Sequence, residues 1–345
     1  MDVRIKNLLD YVEPYMNKDG KIYRVKPEEM VKYYLNDAMS QTYLKALKKS
    51  LYKYLKAKEK RVTEPMLLGR LVDSMLTSTI DDFNAEFCIV TGDVIPDVNV
   101  IELMLEKFDP SIKFEDIPKD VMVRFIRDHN IFSRTWKDDT VYEKMKLIYE
   151  DFWNTCVHAG GYRIPVPFSL YDKALKIATI AKQKPVWHKL HQADLILYQV
   201  PLYNELDNGM RLKSLLDMVI IPNVDLPHVH VVDIKTTNGD ILDFPKIYTK
   251  LNYGFQAKFY TMMLHRMFGI PVEGMMFSFY VVTDYTACLF KGPVYTPEDG
   301  EVDLALTIYK WYLDTGFKED YLVAKSDYYL MADFYQDDLD IYYED

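Results

Sequence analysis

Three residues in the second half of the chain have the types and spacing for hydrolytic chemistry: Asp217, Asp233 and Lys235. Two apolar, β-branched runs, Gly209 to Ile221 and His228 to Lys235, flank a segment carrying Pro222, Asn223, Asp225 and Pro227, the composition of a hairpin loop. Asp217 and Asp233 are equidistant from Asp225, so a hairpin tipped there sets the two carboxylates opposite each other on neighbouring strands. Alternation along a strand puts Asp233 and Lys235 on one face. Unpaired charge inside an apolar sheet is costly. The counter-charge suited to two carboxylates is a hard divalent cation, Mg²⁺ or Mn²⁺. The adjacent lysine, its pKa lowered by the metal and by partial desolvation, is expected to hold or deprotonate a water. Metal, charge and a basic group together meet the needs of phosphodiester hydrolysis. An Asp233–Lys235 salt bridge beside a surface Asp217 would account for the same three residues, and the triad alone does not choose.

The next segment bears on that choice. From Tyr253 to Phe268, Met263, Leu264 and Met267 recur at helical spacing, and Gly269 and Pro271 stand where a helix stops. Gln256 and Tyr260 lie four residues apart and share a face. The ordered set of Asp217, Asp233-Ile-Lys235-Thr-Thr and Gln256-x-x-x-Tyr260 resembles the PD-(D/E)XK nuclease superfamily, in its exonuclease VIII (RecE-type) and RecB-type branch. The resemblance implies an α/β fold with a lambda-exonuclease-like core. That core is a small mixed sheet in the order α-β-β-β-α-β, flanked by helices, here with a large helical elaboration. It implies that Asp217 and Asp233 bind metal with help from the Ile234 carbonyl, that Lys235 positions or activates water, and that Gln256 and Tyr260 hold DNA near the metals. Lys213, between Gly209 and Asp217, matches the RecE-type pattern and is expected to contact DNA.

Other elements must position this set. Tyr43, Leu44, Leu47, Leu51, Tyr54 and Leu55 form an apolar stripe with lysines opposite, and Ser40 is the expected N-cap. In the resembled family a helix opening with Ser-x-x-x-Leu lines the DNA entrance, so Ser40, Lys45, Lys48 and Lys49 are expected DNA contacts within a basic stretch over 40–61. A solvated lysine face is the plainer account. Gly69-x-x-x-Asp73-x-x-Leu76 resembles the family's Gly-x-x-x-His-x-x-Leu helix. Asp73 replaces the metal-binding His, and a carboxylate suits Mg²⁺ at least as well. Arg70 would screen it. Family members often carry a Glu in the strand before the hairpin; Gln199 stands nearest and has at most a supporting role. Residues 1–35 read as short helices around a turn at Asp19-Gly20, Ala193 to Leu202 as the first core strand, and Thr296-Pro297 as the start of a late helix.

The expected organisation is a mostly helical region over 1–185, a nuclease core over 186–318 and an acidic, Tyr-rich tail over 319–345. At 345 residues and 49% hydrophobic content the chain can bury a large core. No apolar leader or spanning run is evident, and three scattered cysteines suit a reduced cytoplasm, which is the expected location. An iron–sulfur cluster of the RecB-type relatives needs four cysteine ligands, so none is expected. A net charge of −10 does not exclude DNA, because binding needs only a local basic field. The expected activity is a Mg²⁺-dependent 5′–3′ double-strand exonuclease, making 3′ single strands for recombination or repair. By resemblance it acts as a homo-oligomeric ring beside a single-strand annealing protein. An endonuclease or single-strand nuclease of the same superfamily, and a non-catalytic DNA-binding scaffold, are the alternatives.

Overall fold

In the computed structural model, residues 1–58, 62–90, 96–158, 163–237, 239–298 and 300–316 are described, Thr155 by its backbone only. The expected acidic tail, and Lys60 and Arg61 of the basic stretch, lie outside them.

The chain opens with α1 (Val3–Val12), a hairpin of β1 (Met16–Asp19) and β2 (Ile22–Val25), and α2 (Pro27–Leu35). The turn expected at Asp19-Gly20 joins two strands where short helices are expected, and Gly20 supplies the left-handed φ of 59° that this turn requires. Next come α3 (Gln41–Lys49), α4 (Leu51–Lys58), α5 (Glu64–Thr77), α6 (Ile80–Glu86) and β3 (Phe87–Val90). A helical module follows, with α7 (Val98–Lys107), α8 (Lys119–Asp128) and α9 (Asp138–Phe152), and then β4 (Ile164–Pro167), α10 (Phe168–Gln183) and α11 (Pro185–Leu190). The remainder is β5 (Leu195–Glu205), β6 (Arg211–Ile221), β7 (Val229–Thr236), α12 (Phe244–Lys250), α13 (Tyr253–Phe268), β8 (Met275–Val282), β9 (Ala287–Gly292) and α14 (Gly300–Thr315). The last helix begins at Gly300 and not at Thr296, so Pro297 lies before it.

Seven strands form one mixed sheet in the order β1-β2-β5-β6-β7-β8-β9. β5, β6 and β7 are antiparallel neighbours, while β7 and β8 run parallel because α12 and α13 carry the chain back across the sheet. β5, β6 and β7 follow one another directly, and α12 and α13 then lead to β8, in a mixed sheet wider than the small one expected. Successive residues of β7 serve opposite layers. Val231 packs with α1, α3, α13 and α14, whereas Val232 and Ile234 pack with α5, α10 and α11. Covered on both faces, β7 reads as a nearly continuous apolar run, in which a carboxylate is conspicuous.

Residues 100–157 hold a third core of their own, centred on Ile101, Met104, Phe114, Met145 and Trp153. The parallel pair β3–β4 partitions it from the main body. Phe87, Ile164 and Val166 face the sheet's helices, while Cys88 and Val90 face the module. The sheet shows no break at residue 185. β2 pairs with β5, and α1, α3 and α5 pack on its two faces.

Candidate active site

The register of the central hairpin sums as its sequence symmetry requires, with Ile220 opposite His230 and Met218 opposite Val232. The pairing ends there, one step before Asp217 would stand opposite Asp233. Like charges directly opposite are destabilising, which accounts for the break at this step. The Asp217 carboxylate turns into the gap and its Oδ2 accepts the Ile234 amide at 2.8 Å. On the other side of β6 the register passes from Tyr198–Met218 to Val200–Leu216 without a Gln199–Asp217 pair, and Gln199 has φ 53°. A non-glycine residue in that region is uncommon and concentrates at functional sites. Three strands are thus locally opened on one line through Asp217.

Asp233 is 2% exposed. Its Oδ1 accepts from Gln256 Nε2 at 2.7 Å, and the same amide lies 3.2 Å from the Tyr260 hydroxyl. Its Oδ2 forms a buried ion pair with Lys235 Nζ at 2.6 Å. Lys235 also lies 4.9 Å from the centre of the Tyr253 ring. The salt bridge weighed from sequence is therefore present, but Asp217 is half-buried in the sheet and not on the surface.

Electrostatics follow from this crowding. Burial, and then the charge of Asp233, push the Asp217 carboxyl up to about 7. Burial likewise raises Asp233, against the pull of Lys235. Burial works against the Lys235 ammonium, but Asp233 and Asp217 outweigh it and hold the amine above the ordinary lysine range. With both carboxylates free of a cation, they favour the charged form of Lys235; the lowering expected from sequence belongs to the metal-loaded site.

Asp73 arrives on α5, which packs across the end of β7 so closely that a Cβ on Gly69 would sit 3.4 Å from Thr236 Oγ1. The Asp73 carboxyl is raised well above its ordinary range by burial first and by Asp217 next, with Asp233 adding to it. It therefore shares the field of the acidic pair. Among the described residues no three His, Cys, Asp or Glu side chains close into a metal-holding group. The donor set does fit a hard cation in other respects. It offers carboxylate oxygens whose mutual repulsion needs a counter-charge, a part that the Lys235 ammonium, 2.6 Å from Asp233 Oδ2, fills only for one of them.

Gln256 and Tyr260, expected to hold DNA, are both buried, and the Gln256 amide is spent on Asp233. Lys213 is also differently placed. It is 5% exposed, and its Nζ donates to the carbonyls of Tyr33 at 2.8 Å and Asn36 at 2.5 Å, so it caps the end of α2 instead of facing DNA. Ser40 is the N-cap of α3, accepting from the Tyr43 amide. On that helix Lys45 donates to the Leu251 carbonyl at 3.2 Å, and burial, then the nearby Lys235, bring its amine down to about 8. Lys48 reaches Glu301 at 3.3 Å, as does Lys258 from α13, and Lys49 is exposed. A basic rim thus stands beside the acidic centre. Tyr253 was missed from sequence, although it precedes Gln256 by three residues on the same helical face; Lys258 and Glu301 carry no local signal.

No family model and no curated protein matches the chain. Among solved structures it is similar to a "Putative exonuclease" from Eubacterium rectale, with 14% identity over 86% of this chain and 88% of that one and a TM-score of 0.43. It is similar to SSO0001, with 13% identity over 57% and 88% and a TM-score of 0.26. A third similarity is to protein VC1899 from Vibrio cholerae, with 11% identity over 75% and 59% and a TM-score of 0.21. Overlaps this loose carry no argument about activity. No helix among the described residues is long and apolar enough to cross a membrane.

Proposed function

We propose that the chain is a metal-dependent deoxyribonuclease of PD-(D/E)XK type that resects linear duplex DNA from the 5′ end. The supporting observation is the convergence of Asp217, Asp233 and Lys235 where β6 and β7 part, with Gln256 orienting Asp233 from α13. Asp217 and Asp233, the Ile234 carbonyl and Asp73 would hold Mg²⁺ or Mn²⁺. When bound, that ion would acidify a water and offset charge on the phosphoryl oxygens.

The chain's own groups supply the rest. Gln256 fixes the Asp233 carboxylate, and because the amide is itself buried it holds that orientation without competition from solvent. Lys235, set against Asp233 and the Tyr253 ring, presents a positive charge where the phosphate gains negative charge. Lys45 and the exposed Lys49 on α3 offer cations to the phosphates of the incoming strand. The resemblance adds a homo-oligomeric ring and an annealing partner. Polarity and dependence on ends would come from that ring.

The test is digestion of linear duplexes with 5′-phosphate or 5′-hydroxyl ends against covalently closed circles, in Mg²⁺ and in chelator. The reading expects loss of linear duplex from the 5′ end only with Mg²⁺. Nicking of closed circles would replace the exonuclease reading with an endonuclease one.

A further inference from the structure

Most of the exposed apolar side chains are scattered, but α2 carries Val31, Tyr34 and Leu35 on one outward face. Tyr34 is 54% exposed, and its ring lies 5.4 Å from the Arg70 guanidinium of α5. That guanidinium is pinned by Glu86, whose Oε1 accepts from Nε at 2.6 Å, and it also reaches the Phe87 ring at 6.0 Å. Tyr33 meets Tyr34 edge-on, with ring centres 5.7 Å apart. The result is a flat aromatic surface, backed by a fixed cation and open to solvent.

Its position along α5 carries the inference. Arg70 is one turn from Asp73, and the exposed Met66 is one turn the other way, so the strip Met66–Arg70–Asp73 runs outward from the acidic centre on one helical face. Tyr34 meets that strip at Arg70, one turn from Asp73. An exposed aromatic face, a guanidinium behind it and a phosphodiester site one turn away are what a strand needs to stack a base while its backbone reaches the acids.

We propose that Tyr34, backed by Arg70, is a stacking platform for an unpaired nucleobase next to the scissile phosphate, so that the site takes a strand whose terminal base is unstacked from its duplex. This rests on the nuclease reading and adds a binding residue to it. Base–aromatic stacking contributes about 1–3 kcal/mol per base.

The test is single-strand DNA binding in chelator, where no cleavage interferes, using an oligonucleotide with 2-aminopurine near its 5′ end. Tyr34→Ala should weaken binding about tenfold and relieve the quenching seen with the wild-type protein. Tyr34→Trp should keep both, and Tyr34→Leu, apolar but without a π face, should behave as Tyr34→Ala. Wild-type affinity and quenching in Tyr34→Ala would overturn the platform alone. So would unchanged DNA binding with a lower oligomeric mass by light scattering, which would assign the α2 face to a second copy of the chain. Absence of DNA binding by the wild-type protein would overturn the nuclease reading along with it.

Discussion

Replacing Asp217 by Asn should make the metal-free protein more stable at neutral pH while removing its activity. The Asp217 carboxyl is raised from an ordinary 3.8 to about 7, by burial first and by Asp233 next. A carboxyl whose folded pKa lies above its unfolded one costs stability once it ionises. That cost is absent below about pH 4, grows as pH rises through the interval, and is complete above about pH 7. The full displacement corresponds to about 4 kcal/mol. Asp217 is only half-buried and shares its field with Lys235, so about 2 kcal/mol is the expected gain. Asn keeps the acceptor for the Ile234 amide that Oδ2 now serves, so the substitution removes charge with little change of shape. Urea denaturation in chelator at pH 7.5 and pH 4.5, wild type against Asp217→Asn, reads the effect directly. The gain should appear at pH 7.5 and shrink toward zero at pH 4.5. Destabilisation at pH 7.5, or an equal gain at both pH values, would refute the account of a carboxylate strained for function.

Other consequences follow from the same geometry. Gln256→Ala removes the donor that orients Asp233, and should lower Mn²⁺ affinity about 10–100-fold by calorimetric titration. Lys213→Met should leave the salt dependence of DNA binding unchanged but cost about 1–3 kcal/mol in denaturant unfolding, because two carbonyls lose their donor. Lys45, brought down to about 8, is a cation below that pH and loses its charge above it. DNA affinity should therefore fall between pH 7 and pH 9 in the wild type, and fall much less in Lys45→Arg, as read by anisotropy at constant ionic strength.

The sequence made the centre legible because a hairpin is a local object. The symmetry of Asp217 and Asp233 about Asp225 predicts the observed register, and the i, i+4 spacing of Gln256 and Tyr260 predicts their shared face. Ser40 as N-cap and Gly269 as a left-handed stop are local as well. What spacing could not show was which way a polar group points once a third element arrives. Lys213 looks like a surface cation until α2 brings two carbonyls to it, and Gln256 looks like a DNA ligand until β7 places Asp233 within reach. The protonated state of Lys235 depends on two carboxylates converging at once, and not on its own burial. The β1–β2 hairpin was missed because its strands are only four residues long, too short for a period-two pattern to emerge. The helical module's separate core depends on contacts from Val100 to Val157 that no short window contains.

The central claim is that Asp217, Asp233 and Lys235 act together on a phosphodiester. Its most direct test is end-labelled duplex digestion by wild type and Lys235→Ala, each with Mg²⁺ and with chelator. The account predicts degradation by the wild type only with Mg²⁺, and a rate for Lys235→Ala at least about a hundredfold lower with DNA binding retained. Equal degradation by the two proteins, or none by the wild type in any divalent cation, would contradict it.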